Sequence, residues 1–237
     1  MQLGSPEFAQ WVQQAESIGK DGRWGAANTL VERLCANPGA AGPAWVQVFA
    51  SLAAATFSEY LALKRAYEDP KSDPALIAWR ARNLLELSVW SIYCSRTKEN
   101  ARRFFADGGR DLLNLFAAFE KWTEIVNKAA IPPIEMDEVA REKEELAARA
   151  ALQGIDSLEG AYMQVGEAAK AIGMGANFAV ANKMLSKFAH PTAMQVLAPA
   201  GEGERLALQK QLFFSHGCLF FTGAFDAIEA ALIDAAC

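Results

Sequence analysis

Lys183 and His190 are each three and four residues from Ser186 and Lys187, so a helix over this stretch would set the four in one polar sector. Two ammonium groups, a hydroxyl and an imidazole, the side chain able to titrate near neutrality, can hold a phosphate or carboxylate and move a proton beside it. The same four residues also fit a solvated helix face with a histidine near its C-terminus, where the helix dipole favours positive charge. Both readings stand on spacing alone. His190 precedes Pro191 and is therefore placed at a helix end, where its ring can approach a cleft.

A second charged feature interrupts the apolar stretch Trp79 to Tyr93. Arg82, Glu86, Val89 and Tyr93 form one helical stripe flanked by Trp79, Leu85, Trp90 and Ile92. Desolvating an ion costs several kcal/mol, so such a pair persists only if the two groups satisfy each other or meet a further polar partner. Either the pair is a structural clamp, or Glu86 orients or activates a reacting group with Arg82 beside it. Arg80 falls on the far side of the helix. His216, among Leu212, Phe213, Leu219 and Phe220, reads as a hydrogen-bonded core histidine. The run of Arg96, Lys98, Arg102, Arg103 and Arg110 is the best local candidate for attracting an anion, set against a solvated helix end.

Negative observations narrow the chemistry. The sequence holds no GxSxG, no P-loop and no metal-finger spacing, and Gly173-Met174-Gly175 lacks the preceding strand of a nucleotide fingerprint. No cofactor and no metal site is expected. The net charge of -5 is concentrated in the second half: residues 1–118 carry 13 Lys+Arg against 12 Asp+Glu, and residues 119–237 carry 10 against 16. A broad footprint for duplex nucleic acid is thereby excluded, while a local anion groove is not.

The elements that must position these residues are helices. Apolar residues make up 52% of the 237 and charged residues 22%, runs of alternating β-branched residues are nearly missing, and proline and glycine fall between periodic segments. The expectation is an all-α bundle of about eight to ten helices with long antiparallel central helices. Residues 1–8 (MQLGSPEF) resemble a cloning linker, and 9–237 are read as one domain, with entry helices over 9–68 packed on a 74–237 core. Ser72-Asp73-Pro74 is a strong start signal for the helix carrying Arg82. Gly108-Gly109 is a place for a kink, Glu159–Ile172 and Ala176–His190 read as two helices, and Glu202–Ala236 as a central apolar one. The cysteines Cys35, Cys94, Cys218 and Cys237 read as reduced thiols of a cytoplasmic protein. The most apolar segment, Leu212 to Phe225, is too short to cross a bilayer, so no membrane partner is expected.

Two blocks carry a resemblance. RNLLELSVWSIYC followed by ENARRFF, with NKMLSKFAHPTAM later, is similar to an uncharacterised family of bacterial helical proteins in which Arg-x3-Glu and Ser-x3-His recur. The matching positions are Arg82 and Glu86, Arg103 more loosely, and Ser186 and His190. That family distantly resembles the HEPN superfamily, which implies a helical bundle, frequent homodimers and, in some members, metal-independent RNA cleavage by an Arg-x4-6-His motif. Here Lys183-x6-His190 stands in that place, without the bidentate guanidinium fork. The resulting expectation is a cleft in which His190 and Glu86 are catalytic and Arg82, Arg103, Lys183, Ser186 and Lys187 bind an anion, with RNA or a small anionic ligand as partner. The alternative is a non-enzymatic interaction or dimerisation module. A third reading, a small-molecule pocket, uses Trp79, Trp90, Tyr93, Phe104 and the Phe213 to Phe221 cluster.

Overall fold

The computed structural model describes residues 5–35, 44–125, 133–190 and 203–236. Among them there are nine helices and no strand, as the composition and periodicity predict. They are α1 (Pro6–Lys20), α2 (Arg23–Cys35), α3 (Ala44–Glu68), α4 (Pro74–Arg96), α5 (Lys98–Ile125), α6 (Pro133–Leu152), α7 (Val165–Ala171), α8 (Gly175–Ala189) and α9 (Glu204–Ala236). Pro6, Glu7 and Phe8, in the linker-like opening, belong to α1, and Phe8 is buried against Trp11 with ring centroids 5.0 Å apart.

The centre is the packing of α9 on α4 and α3. Phe221, Phe225, Ile228 and Leu232 recur at four-, three- and four-residue steps and are all buried, which makes one apolar stripe along α9. Contacts order the chain directions: Tyr67 stacks on Phe214 at 4.0 Å, Tyr60 stacks on Phe221 at 4.1 Å, and Lys210 donates to the carbonyl of Pro70 at 3.1 Å. Rising numbers on α9 therefore meet falling numbers on α3, so the two run antiparallel. The short turn before α4 reverses the chain again, and Arg80 and Asn83 of α4 both bond Glu59 of α3. Close approach of α9 requires Gly217: a Cβ there would lie 2.3 Å from Leu63 Cδ2 and 3.5 Å from Ala81 Cβ.

The start of α4 follows the sequence reading. Asp73 accepts a hydrogen bond from the Ala75 N–H at 2.8 Å, and Pro74 occupies the first turn, where its missing N–H costs nothing. Two expectations differ. α5 runs unbroken through Gly108-Gly109; the Leu158 side chain lies 3.0 Å from where a Cβ of Gly109 would stand, so the glycine serves a close approach. The helix expected from Glu159 begins only at Val165, because the Met163 N–H is held by Asp107 Oδ2 at 3.2 Å and Gln164 and Glu167 form a capping box.

Within α3 the span Trp45–Glu68, with a mean hydropathy of 1.3, is long and apolar enough to cross a membrane by composition alone. In this fold Phe49, Leu52, Tyr60 and Leu63 of that span are buried in the core. The Tyr60 hydroxyl has no hydrogen-bond partner among the described residues, and desolvation raises its pKa. Tyr60→Phe keeps the stacked ring and removes the unpaired group. Its stability in denaturant should match the parent or exceed it by up to about 1 kcal/mol.

Cys94 and Cys218 are free and fully buried, and burial pushes each thiol from 9.0 up to about 12. In the unfolded chain both ionise in the ordinary range, so the folded state keeps protons that the unfolded state loses. Stability from this source is complete below about pH 9 and declines as pH rises toward 12. Neither thiol should react with iodoacetamide at about pH 8 until denaturant unfolds the chain. Labelling of either in the folded protein would contradict the burial.

Candidate functional site

The two charged features meet. α4 and α8 pack side by side, and Arg82 reaches from one to the other. Its Nη2 lies 2.8 Å from Glu86 Oε1, its Nε donates to Asn182 Oδ1 at 3.0 Å, and its Nη1 lies 3.1 Å from His190 Nε2. Asn182 Oδ1 also accepts the Ser186 hydroxyl at 3.2 Å. Arg82 thus closes on Glu86 and opens toward His190 at the same time.

Local folding explains why the ring arrives there. His190 ends α8 with φ -117° and ψ 146°, the extended conformation that the following proline favours. Leaving the helix at this point takes the ring off the α8 surface. The Arg82 and Glu86 side chains keep 25% and 32% of their exposure, so the pair sits at the rim of the α4–α8 contact and is open to solvent. His190 is also exposed.

Hydrogen-bond chemistry fixes further details. A guanidinium can only donate, so this contact is a hydrogen bond in the tautomer that leaves His190 Nε2 as acceptor and carries the ring proton on Nδ1. The guanidinium has five N–H donors, two more than these three contacts use. Ser186 spends its proton on Asn182 and therefore orients that amide; it is not a free donor in this arrangement. Glu86 touches Arg82 and reaches His190 only through it. Lys183 and Lys187 are exposed on the same helix. Asn182 opens the NKMLSKFAHPTAM block, but no spacing rule marks it as a partner of Arg82.

Arg103 does not join this group. It lies 3.8 Å from Asp107 and beside Tyr93, eleven residues from Arg82 along α4, or about 16 Å. The rest of its basic run is likewise engaged in structure. Arg96 donates to the Ile172 carbonyl at 3.2 Å, Arg102 bonds the Gly154 carbonyl, and Lys98 lies over the Trp45 ring at 4.9 Å. Arg110 bridges Asp107 at 2.6 Å and the Glu159 carbonyl at 3.2 Å. With Asp107 only 5% exposed, these bonds fasten the 153–164 segment to α5.

His216 is half-buried and bonded as expected, its Nδ1 donating to the Leu212 carbonyl at 2.8 Å and its ring 5.7 Å from that of Trp11. The aromatics of the small-molecule reading pack on their neighbours: Trp90 meets Phe104 at 4.8 Å, and Phe213 is fully buried. A cleft of about 510 Å³ between α5, α6 and residues 155–159 shares no residue with the polar cluster. Among the described residues no group of three or more His, Cys, Asp or Glu is placed to hold a metal ion.

Residues 47–199 match a family described as one of unknown function, DUF5677. The chain belongs to this family. The DUF5677 match extends over α4 and α8, so Arg82, Glu86, Asn182, Ser186 and His190 all lie inside it, whereas α9 lies outside. No curated protein and no solved structure matches the chain.

Proposed function

We propose that this DUF5677 protein binds the phosphate of a single RNA strand at the α4–α8 rim and cleaves the strand there, with His190 as the proton-transfer group. The observation that carries this reading is the 3.1 Å contact between the Arg82 guanidinium and His190 Nε2, both open to solvent. It supplies in space the arginine–histidine pairing that the sequence, with Lys183 before His190, lacks along one helix. Lys183 and Lys187 add positive charge on the same helix.

In the proposed reaction the two spare N–H groups of Arg82 hold the phosphate, and the ribose 2′-hydroxyl takes the place of the Nη1 N–H as the donor to His190 Nε2. His190 Nε2 then accepts the proton of the ribose 2′-hydroxyl. The 2′ oxygen forms a bond to phosphorus, the P–O5′ bond breaks with its electron pair on the 5′ oxygen, and that oxygen takes a proton from solvent. The products are a 2′,3′-cyclic phosphate and a 5′-hydroxyl, and the balance needs no redox partner. Glu86 restrains the guanidinium throughout. Incubating the protein with a labelled single-stranded RNA in EDTA should yield these ends, and a single 2′-deoxy position should block cleavage at that position alone. RNA left intact would refute the cleavage.

One observation favours the alternative, an interaction module. Leu115, Trp122 and Ile125 expose 63%, 51% and 76% of their surface along one side of α5. An apolar helix side of this kind suits docking to a partner or to a second copy of the chain.

A further inference from the structure

We infer that Asn182 is a positioning residue that fixes the tautomer of His190 by acting through Arg82. The inference rests on the reading of His190 as the proton acceptor, and it assigns a role to a residue that the anion-binding account leaves idle. Asn182 Oδ1 takes two donors, Arg82 Nε at 3.0 Å and Ser186 Oγ at 3.2 Å, so the amide is held with its oxygen toward the arginine. Together with Glu86 on Nη2, it fixes the guanidinium at two of its three nitrogens. The third nitrogen, Nη1, is thereby aimed at His190 Nε2.

An N–H directed at Nε2 stabilises the ring with its proton on Nδ1 and disfavours the opposite tautomer, in which two N–H groups would face each other. The basic lone pair then lies on Nε2, the nitrogen beside the guanidinium that would hold the phosphate. In the other tautomer the lone pair is on Nδ1 and the nitrogen near the phosphate is a donor, unable to take the 2′-hydroxyl proton. Wrong-tautomer histidines in other proton-transfer sites lose several orders of magnitude in rate with their geometry intact. Freed from Asn182, Arg82 keeps Glu86 but can rotate about Nη2, so its aim at His190 is lost.

The chain has only two histidines, which makes the test direct. His216 donates from Nδ1 to the Leu212 carbonyl and serves as an internal reference. Long-range ¹H–¹⁵N correlation on ¹⁵N-histidine protein, above the pH at which imidazole protonates, should show both rings with the proton on Nδ1. Asn182→Leu, similar in size but unable to accept a hydrogen bond, should turn His190 alone into a mixture of tautomers and lower RNA cleavage in proportion to the fraction that keeps its proton on Nδ1, by roughly a few-fold. Asn182→Asp offers an oxygen to the same two donors and should restore the parental pattern. A parental His190 already protonated on Nε2, or an unaltered His190 in folded Asn182→Leu, would overturn the inference. If Asn182→Leu fails to fold, Asn182→Ala also removes the acceptor and makes the same comparison: a mixed His190 tautomer is expected, and an unaltered one would overturn the inference. The spectra need no RNA, so a fixed tautomer without cleavage would refute the proposed function alone, and cleavage with a mixed parental tautomer would refute the positioning role alone.

Discussion

His190→Ala is expected to reduce RNA cleavage by roughly 10² to 10⁴-fold, the range in which a positioned proton-transfer group contributes. Far-UV circular dichroism and the denaturant midpoint should be nearly unchanged. The ring is exposed and follows the last residue of α8, so its loss opens no cavity. Arg82 loses one acceptor but keeps Glu86 at 2.8 Å and Asn182 at 3.0 Å. Binding of RNA should therefore persist with at most a few-fold change, and the loss should fall on the rate. Arg82→Lys should behave differently: an ammonium retains the charge but cannot present planar, divergent donors to three partners, so both binding and rate should fall.

The largest effect on stability is expected at Phe221. Its side chain is fully buried, stacks on Tyr60 at 4.1 Å with the rings 5° from parallel, and lies 6.2 Å from both Phe57 and Phe225. Phe221→Ala removes the contact where α9 meets α3 and leaves a void that the helices can only partly close. A loss of about 3–5 kcal/mol is expected from urea or thermal unfolding. A loss below about 1 kcal/mol would show that α9 does not hold the centre of the bundle. Tyr60→Phe provides the contrast, because it keeps the ring pair and removes only an unpaired hydroxyl.

Much of the fold was legible because helix signals are local. Asp73-Pro74 set the start of α4, and the apolar periodicity of Leu212 to Phe225 placed α9 at the centre. Structure departs from the local signals where distant chain decides it. Gly108-Gly109 suggested a kink, and only the approach of Leu158, far along the sequence, gives Gly109 its reason. The late start of α7 depends on Asp107, whose carboxylate holds the Met163 N–H from 56 residues away.

The candidate site was legible in its ends and not in its middle. A charged pair in an apolar helix drew attention to Arg82 and Glu86, and a histidine before proline drew attention to His190. Asn182 was invisible, since an amide on a helix has no spacing rule that marks it as the acceptor for an arginine 100 residues away. Arg103 stands apart from the cluster for the reverse reason: positive charge is easy to see in sequence, while the buried carboxylate that engages it is not. The spacing puts Ser186 near His190, but the direction of its proton is set by Asn182.

The claim that the α4–α8 rim is where a nucleic-acid phosphate binds is tested most directly by titrating ¹⁵N-histidine protein with a short 2′-deoxy oligonucleotide, which can bind but cannot be cleaved by the proposed route. The predicted result is a saturable shift of the His190 ring signals, with those of His216, shielded by Phe8 and Trp11, unmoved. Binding that leaves His190 unchanged, or no binding at all, would contradict the account.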